Sequence, residues 1–118
     1  MDPHFDGVIF QTYASELERR IRKAFPAWCA LDVRSAADYA AGHLPGSLSV
    51  SIADLSNGLP EGTDPGTEFF VIGMGPGDER VRPMSEALRR QGAHRVVELA
   101  GGIAEWKAFD FALEQRAA

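Results

Sequence analysis

Three short stretches of this chain, Trp28 to Val33, Glu68 to Ile72 and Val96 to Leu99, are apolar without regular alternation. A strand with one wet face alternates polar and apolar residues, so these runs fit strands covered on both faces, the condition of a parallel sheet. Helix signals fall between them. Leu17, Ile21, Ala24 and Phe25 recur at helical spacing behind a Ser15/Glu18 capping box, predicting a helix from about residue 15 to 25 that Pro26 ends. Ser35 predicts the cap of a short helix through Tyr39, terminated by Gly42, and Leu48 to Ile52 reads as a short extended piece. Pro83 suits the first position of a further helix, with Arg82 extended before it and Glu86 in the positive first turn. That helix turns Met84, Ala87 and Leu88 inward and stops near Gly92; Gly101 and Gly102 then turn the chain into a helix starting at Ile103 and running to Lys107. Strands alternating with helices imply right-handed crossovers, hence a three-layer α/β/α domain with a small central parallel sheet.

With 118 residues, 45% of them hydrophobic, residues 1–118 make one domain with one core and no room for a second. The formal charge of −5 gives no electrostatic reason to expect nucleic acid or an anionic membrane as partner. The basic residues between Glu16 and Lys23 are interleaved with acids, as on a solvated helix face. A single cysteine forms no intrachain disulfide, and no apolar stretch approaches the ~20 residues that span a bilayer. The start, Met1 to Asp6, lacks the basic and apolar regions of a signal peptide, so the expected location is cytoplasmic. Ser56 to Gly66 reads as a loop. His4, His43 and His94 with Cys29 form no metal-ligand spacing, and Gly73-Met74-Gly75-Pro76-Gly77 fits neither a Walker loop nor a dinucleotide fingerprint, so neither a metal nor a cofactor is expected.

Ligand sites of open α/β folds lie beyond the carboxyl ends of the strands. Here that places Gly73 to Arg82 at the site, with Asp32 and Arg34 arriving from the neighbouring strand end. Gly73, Gly75 and Gly77 allow consecutive N–H groups to converge, and Arg80 and Arg82 add donors beside a helix N-terminus, an arrangement suited to a small oxyanion. Pro76 removes one N–H, while Asp78 and Glu79 repel anions, so the glycines equally fit a loop that only turns the chain. From Val71 to Met84 there is no Cys, Ser or Thr before Ser85. Asp78 has no evident base or metal cluster to make it a nucleophile.

Two motifs frame this loop: Leu31-Asp32-Val33-Arg34 continuing through Asp38-Tyr39 to Gly42-His43-Leu44-Pro45-Gly46, and Gly101-Gly102 followed by Trp106. In order and spacing they resemble the rhodanese-homology family, over most of the chain. The resemblance implies the same α/β/α fold and, in active members, a cysteine in the loop that carries sulfur as a persulfide. If Arg80 is the loop arginine, the spacing of the sulfurtransferases puts Gly75 at the nucleophile, and that of the related cysteine phosphatases puts Met74 there. Neither side chain forms a thiolate or persulfide. The chain therefore resembles the family's degenerate members, which implies a non-catalytic binding or regulatory module for an unknown protein partner or a small oxyanion, as a monomer or weak homodimer. The alternative is a sulfurtransferase using a partner's cysteine or Cys29. Cys29 lies ~10 Å below the site end of its strand, where a small core hydrophobe is expected. In the resemblance His43 belongs to a structural turn, expected to be packed and hydrogen-bonded, and Trp106 to the core. Asp32 and Arg34 are expected to tie neighbouring loops together. After Trp106 the chain departs from the family pattern, and Phe109, Phe111 and Leu113 are expected to close the core, or else to form a dimer patch.

Overall fold

The computed structural model describes residues 8–24 and 27–116. The predicted helix stop at Pro26, Phe25, and the expectations for His4 and the start of the chain lie outside the described residues. The elements run β1 (Phe10–Thr12), α1 (Ala14–Ile21), β2 (Trp28–Asp32), α2 (Ala36–Ala41), β3 (Leu48–Ser49), a 3-10 turn (Ile52–Leu55), β4 (Glu68–Ile72), α3 (Val81–Arg90), β5 (Arg95–Leu99) and α4 (Gly102–Ala108). All five strands are parallel, in the order β1-β5-β4-β2-β3. The expected parallel sheet with helices on both faces is the observed fold.

Two cores explain the runs without alternation. Cys29, Leu31, Phe69, Val71 and Val96 point to one face, where they meet Met84, Ala87 and Leu88 of α3 and Leu55 of the 3-10 turn. The intervening Ala30, Phe70, Ile72, Val97 and Leu99 point to the other, against Leu17, Ile103 and Trp106. Successive side chains leave opposite faces of a strand, so a sheet buried on both sides demands apolar residues at nearly every position.

Several local expectations are corrected. The cap of α1 is Tyr13 rather than Ser15, with no side-chain bond of its own; the carboxylate of Glu105, on α4, instead accepts the Ala14 N–H at 2.7 Å. That helix ends at Ile21, short of residue 25: the Lys23 N–H closes a turn on the Arg20 carbonyl, and the Lys23 carbonyl accepts the Trp28 indole N–H at 3.0 Å. The extended piece stops at Ser49 because Ser51 and Asp54 form a reciprocal capping box that winds Ile52 into the 3-10 turn. Strand β1 was not anticipated; the apolar Val8-Ile9-Phe10 preceding Thr12 is its only sequence signal.

The correction at α3 shapes the site. The helix begins at Val81, two residues before Pro83, so Arg82 is helical rather than extended and Glu86 falls beyond the first turn. Proline is tolerated third in the helix because the first four N–H groups have no partner within it. Ser35 does accept the Asp38 N–H at 3.1 Å, and Gly42 caps α2, as predicted. Phe111 and Leu113 pack against the Trp106 core, closing it as expected, while Phe109 stays exposed. Among the described residues no helix is long and apolar enough to cross a membrane.

Candidate functional site

The carboxyl ends of β2, β4 and β5 lie side by side, so the segments leaving them meet. From β2 come Asp32 and Arg34, both buried. The Arg34 Nε and Nη2 donate to the two Asp32 oxygens at 3.0 and 2.8 Å, the Arg34 N–H donates to Asp32 at 2.9 Å, and Nη2 also reaches the Gly42 carbonyl at 2.7 Å. The clamp thereby joins the end of β2 to the turn after α2. In that turn His43 stacks on the Tyr39 ring at 3.8 Å, with Nδ1 at 2.7 Å from the Tyr39 carbonyl, and its backbone pairs with Glu114 in both directions. The Tyr39 hydroxyl donates to the Ser47 carbonyl. His43 is thus buried and hydrogen-bonded within this turn, with no hydrogen bond or ring contact to the glycine loop among the described residues.

The loop leaving β4 is held by α4. The amides of Ile103 and Ala104 donate to the carbonyls of Gly73 and Met74, both at 2.9 Å. Gly102 has φ +58° and lies so close that a Cβ there would come within 2.6 Å of the Met74 and Gly75 backbone. Only glycine fits this approach. At Gly75, by contrast, a Cβ would make ordinary contacts, 3.7 Å from the Ala104 Cβ and 3.8 Å from the Gly101 carbonyl. Gly73 has no such room: a Cβ would stand 2.5 Å from Val81 and 2.9 Å from the Asp78 carboxylate. Met74 is exposed, and Gly77 adopts φ +80°.

Donors do converge in the loop, but on its own aspartate. Asp78 Oδ2 accepts the Met74 N–H at 2.8 Å and Arg80 Nη2 at 2.7 Å; Oδ1 accepts the Arg80 N–H at 3.0 Å and its Nε at 2.9 Å. The Asp78 side chain is only 7% exposed against 47% for Arg80. The hydrogen bond from Arg80, outweighing the cost of burial, holds the Asp78 carboxyl well below the usual carboxylate range. Arg82 turns away to Glu98, donating through Nε and Nη2 at 2.8 and 3.0 Å. Neither loop arginine presents an unpaired guanidinium.

Glu98 was not singled out by the sequence. It sits inside an apolar run on β5, where its side chain is buried on the α3 face and accepts from Arg82 and from the Ser85 hydroxyl at 2.8 Å. Burial raises its carboxyl pKa, but Arg82 and Ser85 outweigh burial and the net shift is downward. A charged residue in a buried strand was the available signal, since such a group requires a partner. Glu105, which caps α1, was missed for the same reason that capping across elements has no local spacing.

A cleft of about 570 Å³ opens before this loop, lined by Gly75, Pro76, Asp78, Arg82, Glu98 and Glu105 among others. Cys29 lies elsewhere, buried in the α3-side core, where desolvation pushes its thiol up to about 11.

A rhodanese-like domain model matches residues 13–109. The chain belongs to the rhodanese-like domain family. Among solved structures, this rhodanese-like domain is 33% identical to the Alr3790 protein from Anabaena sp., covering 88% of this chain and 82% of that one with a TM-score of 0.76. The 3-mercaptopyruvate sulfotransferase SseA from Escherichia coli shares the fold at 24% identity and a TM-score of 0.71; the match covers 94% of this chain and about half, 53%, of SseA. A rhodanese-like domain protein from Staphylococcus aureus shares it at 20% identity and a TM-score of 0.73, over 92% of this chain and all of that one. No curated protein sequence matches the chain.

Proposed function

We propose that this rhodanese-like domain is non-catalytic and acts as a binding or regulatory module for a protein partner. The observation that carries the reading is chemical. Sulfur transfer in this fold needs a thiolate at the head of the loop, and Gly73 to Arg82 offers no thiol or hydroxyl. The chain's one thiol, on Cys29, is buried in the core with its ionisation suppressed, a combination that opposes nucleophilic use. His43, the acid-base candidate of the sequence, is engaged by the Tyr39 ring and carbonyl.

The expected small-oxyanion ligand is not part of this reading, because Asp78 and Glu98 already neutralise the two arginines that would hold it. The deciding experiment is thiocyanate formation from thiosulfate and cyanide, beside a Cys29→Ser variant. The expected rate for both equals the buffer background. A rate well above background that survives Cys29→Ser, or one that vanishes with it, overturns the proposal.

A further inference from the structure

The loop carries a negative charge inside its own cradle of donors. Four hydrogen bonds, from the Met74 N–H, the Arg80 N–H and the Arg80 guanidinium twice, end on the two oxygens of the Asp78 carboxylate. That carboxylate is shielded from solvent and lines the cleft in front of Gly75. It is seated over Gly73, whose missing side chain makes the space: a Cβ at Gly73 would lie 2.9 Å from Asp78 Oδ2 and 3.1 Å from its Cβ. Gly73 and Asp78 are therefore complementary, one leaving the cavity that the other fills.

A carboxylate and a sulfur oxyanion compete for the same donors, since both are acceptor-only groups that prefer N–H donors and a guanidinium. We infer that Asp78 is an internal plug, occupying with its carboxylate the donors that would otherwise hold an external tetrahedral oxyanion. The inference deepens the proposal of a silent site: the loop lacks its nucleophile and is also closed to the anionic substrates such a nucleophile would use. A tethered anion is present at high effective concentration, so free sulfate or thiosulfate at millimolar levels does not displace it. Removing the carboxylate leaves the Met74 and Arg80 amides and the Arg80 side chain unpaired around the space that Asp78, itself on the cleft wall, would vacate. An unmet set of donors of this kind is the condition under which an external anion binds.

The test is a titration of the whole chain with sodium sulfate, and separately sodium thiosulfate, at constant ionic strength made up with chloride. Binding is followed through the NMR amide signals of Met74 and Arg80. The native chain is expected to show no saturable shift at either amide, and Asp78→Ala to show saturable shifts at both, with an apparent affinity at least tenfold above any native response. Saturable shifts of equal affinity in the native chain overturn the plug whatever the variants do, and so does a folded Asp78→Ala whose amides stay still. If Asp78→Ala does not fold, Asp78→Ser decides, since it removes the carboxylate and frees the guanidinium while its hydroxyl can still accept the Arg80 N–H and keep the turn: saturable shifts at Met74 support the plug and their absence overturns it. None of these outcomes involves turnover. Sulfur transfer by a native chain whose Met74 and Arg80 amides stay unmoved by thiosulfate would therefore remove the non-catalytic reading alone, and an unresponsive variant would remove this one alone.

Discussion

Two three-residue clamps, Asp32-Val33-Arg34 after β2 and Asp78-Glu79-Arg80 after β4, are built alike and placed differently. In each, the arginine N–H and Nε donate to Oδ1 of the aspartate two residues earlier and Nη2 donates to Oδ2, at distances that agree within 0.1 Å. The first pair is 2% and 0% exposed, whereas Arg80 of the second stands half in water. Their remaining bonds differ as well. Arg34 reaches out to the Gly42 carbonyl and so joins two segments, while the Asp78 carboxylate reaches back to the Met74 N–H and folds the loop on itself. One local motif thus serves as a strut where it is buried and as a closure where it faces a cleft. Burial decides the energetics, because a charge left unpaired in the core has no water to replace its partner.

The largest expected effect tests that difference directly. Arg34→Ala leaves the Asp32 carboxylate uncompensated and is expected to cost about 3–5 kcal/mol, against about 1 kcal/mol or less for Arg80→Ala at the solvent-exposed rim. Urea unfolding of the two variants beside the native chain measures both. Equal losses would break the comparison, since they would mean that exposure does not separate the clamps.

Next in size is the pair of glycines flanking Met74. Gly73→Ala drives a methyl into Val81 and the Asp78 carboxylate, and overpacking of this kind costs about 1–3 kcal/mol. Gly75→Ala meets only ordinary contacts and is expected to stay within about 1 kcal/mol of native. Thermal unfolding ranks them, and a reversed order would show that the loop is not shaped around Asp78.

The open space at Gly75 sharpens the comparison further, because it makes that position the one that takes a nucleophile without displacement. In Gly75→Cys, an introduced thiolate can attack the outer sulfur of thiosulfate: a new S–S bond forms, the old one breaks, and sulfite leaves with the electron pair. Cyanide then takes that sulfur as thiocyanate and the thiolate returns. If Asp78 repels the donor and holds its binding groups, Gly75→Cys alone is expected to be at least tenfold slower than the same change combined with Asp78→Ala, a difference of about 1.4 kcal/mol in barrier. Equal thiocyanate rates would leave the missing nucleophile as the loop's only defect.

The legible and illegible parts of this chain divide along physical lines. Glu68–Ile72 was readable to the residue, because a doubly buried strand leaves its mark at every position, and Ser35 was readable because its bond to Asp38 is local. What escaped was contact between distant segments: Glu105 capping α1, Glu98 holding Arg82, and β1, whose three residues owe their place to pairing with β5. The start of α3 was misread for a related reason. Proline argued locally for a start at residue 83, and the Asp78 clamp, with the Val81 N–H bonded to the Asp78 carbonyl at 3.2 Å, starts the helix earlier. The donors of the loop were foreseen, but Asp78 was read as a group that repels their ligand, when it is itself the anion they hold.

The smallest expected effect isolates the charge on that anion. The Asp78 carboxyl is held below its ordinary range when folded, so its stabilising contribution is full above the unfolded carboxyl value near ~3.9 and is lost as pH falls through and below it. Asp78→Asn removes this contribution at every pH while retaining the shape. The gap in unfolding free energy between native and Asp78→Asn, measured in urea, is therefore expected to be about 1 kcal/mol near pH 6 and to shrink as the pH approaches about 2. Glu98 is also shifted downward and adds its own acid dependence, but it does so in both chains and cancels in the difference. The buried clamp supplies the control, since Asp32 and Arg34 are unaltered in both proteins. A gap that holds constant across this range would mean that ionisation of Asp78 does not set the difference between carboxylate and amide, and the rim clamp would then owe its stability to hydrogen bonding rather than to charge.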